Sequence, residues 1–168
     1  AHNAAAALAA TEAFIGGGAL ALDPEAVREG FADVTSPGRL EIVRRGPTVI
    51  IDAAHNPAGA SALADALSEA FAFTHLVGVV AVLADKDVDG ILRALEPVLD
   101  EVVVTHNNSP RSMGTNEIAV LAQEIFGEDR VTVASTLSDA LDAGIRLAEE
   151  ADTYAASGVI VTGSVVTA

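Results

Sequence analysis

A three-layer α/β/α domain, built on a sheet of about six strands that is mostly parallel with one antiparallel strand, is the fold the sequence predicts. Three observations carry it. Short apolar, β-branched runs alternate with helix-period segments from residue 40 onward. The runs at 40–44 and 48–52 are separated only by Arg45-Gly46-Pro47, too short a link for a crossover, so they pair as an antiparallel hairpin. Each later run follows a helical segment, which requires right-handed parallel crossovers.

In chain order, residues 2–15 consist of strong helix formers and are closed by Gly16-Gly17-Gly18. The chain starts inside this helical pattern without a Met, as expected of a piece of a longer protein. The triple glycine has no strand before it and no helix directly after it, so it lacks the context of a dinucleotide loop. Asp23 is placed to cap a short helix over 24–31. Thr35-Ser36-Pro37-Gly38-Arg39 then reads as a turn that delivers Arg39 to the first strand. Strands are expected at 40–44, 48–52, 75–83, 101–105, 130–133 and 158–162, and helices at about 57–71, 88–98, 115–126 and 136–150. The resulting division is a helical segment over 1–34 and a Rossmann-like domain over 35–168.

The most informative stretch runs from Thr48 to Pro57. Thr48-Val49-Ile50-Ile51 is apolar and β-branched, as a strand covered on both faces requires. The run stops at Asp52, turns through Ala53-Ala54-His55, and meets Asn56 as an N-cap and Pro57 at the first helical position, where a missing N–H costs nothing. In the helix that follows, Leu63, Ala66, Leu67 and Ala70 form the expected buried stripe. Asp52 and His55 therefore meet at the carboxyl end of a strand beside a helix N-terminus, where open α/β sheets bind ligands and where anions are favoured.

Composition narrows the function. The 168 residues suffice for one ordinary domain, and the 51% hydrophobic fraction is weighted by 34 alanines, with one Tyr and no Trp. The net charge of −15, with nine Lys and Arg in all, argues against a nucleic-acid partner. No run approaches the roughly 20 apolar residues of a membrane span, and no signal peptide opens the chain. The absence of cysteine excludes disulfides, thiol catalysis and thiolate zinc. A cytoplasmic monomer with neither nucleic-acid nor membrane partners is the expectation.

Polar residues close each parallel strand: Asp52 and His55, then Asp85-Lys86-Asp87, then Thr105-His106-Asn107-Asn108, then Thr162-Gly163-Ser164. Their convergence on one rim is how a ligand site is built in this architecture. Taken singly, Asp85 and Asp87 also read as a loop acid and a helix cap, and His106-Asn107-Asn108 as an ordinary turn. Asp52 and His55 have no third ligand at metal-site spacing, and no nucleophile elbow follows a strand. No G-x-x-x-x-G-K-[ST] loop is present, so a nucleotide's β- and γ-phosphates need a cradle elsewhere.

Six motifs in order carry a family resemblance that covers essentially the whole chain. They are His2-Asn3-Ala4-Ala5, Ser36-Pro37-Gly38-Arg39-Leu40-Glu41, Asp52-Ala53-Ala54-His55-Asn56-Pro57, Ala84-Asp85-Lys86-Asp87, Ser109-Pro110-Arg111 and Val161-Thr162-Gly163-Ser164. Together they resemble the folylpolyglutamate synthase/dihydrofolate synthase family of the Mur ligase superfamily, in a style close to actinobacterial members. The resemblance implies a C-terminal, Rossmann-like Mur ligase domain with the helix that precedes it. The P-loop, magnesium and folate sites would lie in an N-terminal ATPase domain outside this chain, and the family continues past Ala168.

The implied activity is ATP-dependent addition of L-glutamate to a folate through an acyl phosphate, with ATP and Mg2+ as cofactors. By resemblance Asn3, Arg39 and Asp52 match ATP-contacting positions, Arg39 as a phosphate clamp and Asp52 as an acceptor from the ribose or adenine side. His55, the implied catalytic residue, and Ser164 match positions tied to glutamate. Lys86 and Arg111 are cations for glutamate carboxylates. Ala53 departs from the glycine usual in the signature, and keeps the turn only if its φ is negative. A sister ligase acting on a peptidoglycan precursor or cyanophycin, and a stand-alone nucleotide-binding module, are the alternative expectations.

Overall fold

The computed structural model describes residues 2–17, 21–34, 36–151 and 156–168. The chain divides into two compact units, Ala1–Ser36 and Pro37–Ala168. The first holds two helices, α1 (His2–Gly16) and α2 (Pro24–Ala32). Asp23 caps α2 by accepting the Glu25 N–H at 2.9 Å, as its position before Pro24 predicts. Gly18 of the triple glycine lies outside the described residues.

The second unit contains β1 (Glu41–Arg44), β2 (Thr48–Ile51), α3 (Pro57–Ala70), β3 (His75–Val80), α4 (Val88–Leu95), β4 (Glu101–Val104), α5 (Thr115–Phe126), β5 (Val131–Val133), α6 (Leu137–Glu150) and β6 (Ser157–Thr162). The six strands form one sheet in the order β1-β2-β6-β3-β4-β5. Only β1 and β2 pair antiparallel, through the short Arg45–Pro47 link; the other four pairings are parallel. The expected fold is the observed one.

Two cores explain the composition. On one face Ile50, Val80, Val102, Val104 and Ile160 pack beneath α3, α4 and α5. On the other, Val49, Val77, Val79, Val103, Val159 and Val161 meet α6 through Ala140 and Ala148. Small residues let α6 lie close to the valines: a Cβ on Gly144 would come within 2.8 Å of Val79 Cγ2. The strands are thus covered on both faces, which is why they read as continuous apolar runs.

Several element boundaries differ from expectation for local reasons. The strand expected at 75–83 stops at Val80; Ala81 still donates to Thr162 O of β6 at 3.3 Å, and residues 82–84 then turn to pair with the 111–113 loop. Here Met113 N–H donates to Val82 O at 2.9 Å and Ala84 N–H to Arg111 O at 2.8 Å. The helix expected over 88–98 is α-helical only to Leu95 and continues as a 3₁₀ turn over Glu96–Val98. Pro97 has no N–H to donate to the carbonyl of Arg93. On α3 the buried stripe is Ala60, Leu63, Ala64 and Leu67; Ala66 is half-buried and Ala70 exposed. The alanine-rich helix offered two registers, and the one lying over Ile50 and Ile160 is the one used.

Candidate functional site

The carboxyl ends of β2, β3, β4 and β6 share one edge of the sheet, because these strands run parallel. Asp52 organises the first corner. The residue is 7% exposed; its carboxylate Oδ2 accepts the Leu40 N–H at 2.9 Å and Oδ1 accepts the Ala54 N–H at 2.8 Å. Ala53 N–H donates to Gly38 O at 2.8 Å, so the 37–40 turn and the 52–54 turn are tied together directly. The turn holds Leu40 at φ 47°, the one non-glycine positive φ among the described residues. Ala53 is therefore outside the left-handed region, and the exchange of glycine for alanine costs its turn nothing.

Arg39 projects from this tied turn. Its Nη1 lies 3.9 Å from Asp52 Oδ1, and its side chain is 51% exposed. The acid steers the guanidinium without consuming its donors. His55 is half-buried, and its Nδ1 lies 2.9 Å from Ala53 O. A carbonyl only accepts, so Nδ1 carries the proton and Nε2 is the ring's remaining acceptor. Asn56 caps α3 by accepting the Gly59 N–H at 2.7 Å.

At the end of β3, Asp85 gathers two of the candidate cations. Arg111 Nη2 donates to Asp85 Oδ2 at 2.6 Å, and Lys86 Nζ lies 3.6 Å from the same oxygen. All three side chains stay partly exposed at the rim. Partial desolvation pushes the Asp85 carboxyl up, but the hydrogen bond and charge of Arg111, helped by its own backbone and by Lys86, outweigh it and hold the group below the ordinary carboxylate range. A depressed folded-state pKa adds stability that is present above the unfolded-state value and lost as pH falls through the folded one. Replacing Arg111 with Ala is expected to move the Asp85 titration upward in a carboxyl-carbon NMR pH series; an unmoved midpoint would show that Arg111 does not hold it. Asp87 serves as the cap of α4, accepting the Gly90 N–H at 2.9 Å.

Ser164 lies where β6 ends, and its hydroxyl faces inward. The residue is 1% exposed, and its Oγ accepts the Val166 and Thr167 N–H groups at 3.2 and 3.1 Å. Gly163 just before it has φ 108°, and a Cβ there would sit 2.6 Å from Ala81 O, so only glycine passes the chain through this point. Asn107, buried at 2% exposure, donates to Ser164; the strand-end Thr-His-Asn-Asn run was its sequence signal, but an ordinary turn explained that run equally well. His106 is exposed, with Nδ1 3.2 Å from Thr115 Oγ1.

The second unit thus brings Arg39, Asp52, His55, Lys86, Arg111 and Ser164 onto loops at one sheet edge. Asn3 lies in the first turn of α1, exposed, in the other unit. Among the described residues no three His, Asp or Glu side chains gather as a metal cage, and no helix is long and apolar enough to cross a membrane.

Comparison with known proteins supplies the relatives. A dihydrofolate synthase/folylpolyglutamate synthase of Mycobacterium tuberculosis is 58% identical over 177 residues, covering 100% of this chain and 36% of that protein. The structure of M. tuberculosis folylpolyglutamate synthase complexed with ADP matches 99% of this chain and 37% of that one, with a TM-score of 0.91 and 58% identity. E. coli FolC in complex with DHPP and ADP matches 98% of this chain and 36% of that one, with a TM-score of 0.77 and 32% identity. The chain therefore spans about a third of the length of each of these relatives. The family model described as Mur ligase, glutamate ligase domain matches residues 38–164. On that match, across the whole sheet and its rim, the chain belongs to the Mur ligase family as a glutamate ligase domain.

Proposed function

We propose that this chain is the closing domain of an ATP-dependent ligase that adds L-glutamate to a folate carboxylate. The observation that carries the reading is the single rim on which the second unit collects a steered guanidinium at Arg39, an imidazole at His55, and two cations, Lys86 and Arg111, oriented by one acid. Relatives named for folate glutamylation, and their complexes with ADP, support it. In this reading residues 1–34 lead in from an ATPase domain that holds the P-loop, Mg2+ and the folate, and residues 35–168 close over it. The protein acts as a cytoplasmic monomer.

The γ-phosphate of ATP passes to the folate carboxylate with loss of ADP; the α-amine of glutamate then attacks the acyl carbon, phosphate leaves, and the amine gives up a proton. Asn3 and Arg39 contact ATP, with Arg39 offering a planar fork to the phosphates. Asp52 keeps that fork in place and borders the ribose and adenine. His55 presents Nε2 to the incoming glutamate as the group nearest the chemistry, and Lys86 and Arg111 hold its carboxylates. Ser164 shapes the same subsite from beneath, through the loop it braces. Closure places the amine against the acyl phosphate and excludes water. In this reading the metal is held by the other domain.

The test is ADP release by the full-length protein with glutamate and a folate, against this chain alone. The full-length protein is expected to turn over only when both substrates are present, and the isolated chain not at all. Turnover that depends on a peptidoglycan precursor or on cyanophycin would assign the chain to a sister ligase. Turnover by the isolated chain would overturn the division of labour.

A further inference from the structure

We propose that Asn107 is a positioning residue for the glutamate subsite, fixing the loop that carries Arg111 against the loop that carries Ser164. The proposal rests on the ligase reading above and adds to it a buried residue of the strand-end run that the resemblance left without a role. Asn107 is 2% exposed, so its side chain is buried beneath the rim. Its Nδ2 donates to Ser164 Oγ at 3.0 Å and to Thr167 Oγ1 at 3.1 Å, while its Oδ1 accepts the Ser109 N–H at 3.0 Å. Because the Ser109 N–H only donates, the orientation of the amide is settled by chemistry.

Proton accounting shows why an amide is needed. Thr167 Oγ1 lies 2.9 Å from Ala81 O, and a carbonyl only accepts, so the single hydroxyl proton of Thr167 points there. Ser164 Oγ and Thr167 Oγ1 are 2.7 Å apart, so the Ser164 proton goes to Thr167. Both hydroxyl protons are then committed, and both oxygens still face Asn107, which supplies its two N–H groups. One side chain thus ties the loop after β4 to the loop after β6, and Thr167 carries the tie on to Ala81 just past β3. An aspartate of the same shape has no proton to offer and would set a negative charge against two oxygens with none to spare.

The consequence reaches the ligand through Arg111. Anchored at Ser109, the loop continues with Arg111 N–H donating to Ser109 Oγ at 3.2 Å, Arg111 O accepting from Ala84, and the guanidinium bound to Asp85. The Asn107 backbone N–H adds a bond to Ser112 Oγ at 3.1 Å. Loss of the amide frees the rim cations to shift while the two cores stay intact, so it weakens glutamate more than it weakens ATP.

The experiment is steady-state kinetics of the full-length ligase carrying Asn107→Asp, with glutamate and ATP varied in turn and thermal unfolding recorded. The KM for glutamate is expected to rise on the order of tenfold to a hundredfold, with the KM for ATP unchanged within about twofold. A folded Asn107→Asp enzyme with unchanged glutamate KM overturns the proposal, as does an equal rise in both KM values, which marks general loosening. If Asn107→Asp does not fold, Thr167→Val cuts the same network from the other loop and is expected to show the same split. Failure of both to fold makes the network a folding element and overturns the positioning role. A wild-type enzyme that ignores glutamate in the same assay instead refutes the ligase reading, and is thereby told apart.

Discussion

Asp52→Ala is expected to destabilise the isolated chain by about 2 to 5 kcal/mol, measured by urea unfolding. Both carboxylate oxygens accept backbone N–H groups, from Leu40 at 2.9 Å and from Ala54 at 2.8 Å, and Ala54 is 3% exposed. Each donor stranded away from water costs about 1–3 kcal/mol. The left-handed conformation of Leu40 at φ 47°, itself worth roughly 1–2 kcal/mol of strain, loses the bond that holds it. Against a total stability of about 5–15 kcal/mol for an ordinary domain, this is a large fraction. Asp52→Asn keeps one accepting oxygen and is expected to cost about half as much as the Ala change. A loss under about 0.5 kcal/mol for Asp52→Ala would show that water replaces the carboxylate and that the tie between the two turns is not structural.

Where local chemistry had one solution, residue order alone was enough to read it. The Thr48–Pro57 stretch has a β-branched run, an acid, small residues, an Asx cap and a proline, and no other element type satisfies all five; strand, turn and helix fall where they were expected. The hairpin followed from a three-residue link, and the parallel pairings from helices between strands. The placement of β6 between β2 and β3 had no local signal, because strand order depends on which apolar faces meet over long separations. Alanine blurred the α3 stripe for a related reason: Ala60, Ala64, Ala66 and Ala70 fit either register, and only the packing over Ile50 and Ile160 separates them.

The rim was legible as a set of residue types, and less so as a set of roles. Arg39, Lys86 and Arg111 are cations near strand ends in an acidic chain with few of them, and that placement marks them in the sequence. Asp52 and Ser164 stand in two other motifs of the same set, yet their polar atoms are spent inside the protein, and hydrogen bonds between distant loops are invisible in sequence order. The bracing contacts of Asn107 were hidden for the same reason: these partners lie 57 and 60 residues away. The candidate site therefore divides into side chains left open to solvent and side chains that face inward and hold the loops of the first group.

Arg39 and Asp52 make that division measurable. Arg39→Ala removes a half-exposed side chain that lies 3.9 Å from the Asp52 carboxylate, so the fold is expected to change by no more than about 0.5 kcal/mol. If the full-length protein is the proposed ligase, the same change is expected to lower kcat/KM for ATP by roughly 10²–10³, because the proposed role of the guanidinium is to stabilise charge that develops on a transferring phosphoryl group. Arg39→Lys keeps the charge but loses the planar fork, and is expected to restore little. Asp52→Ala lowers both stability and turnover, since it frees the turn from which Arg39 projects. The discriminating comparison is Arg39→Ala at full stability: retained kcat/KM would remove the phosphate role and leave the 37–40 turn as scaffold alone. A deep loss at unchanged stability separates the binding group from the acid that steers it, which is the relationship that the 3.9 Å approach and the two occupied carboxylate oxygens predict.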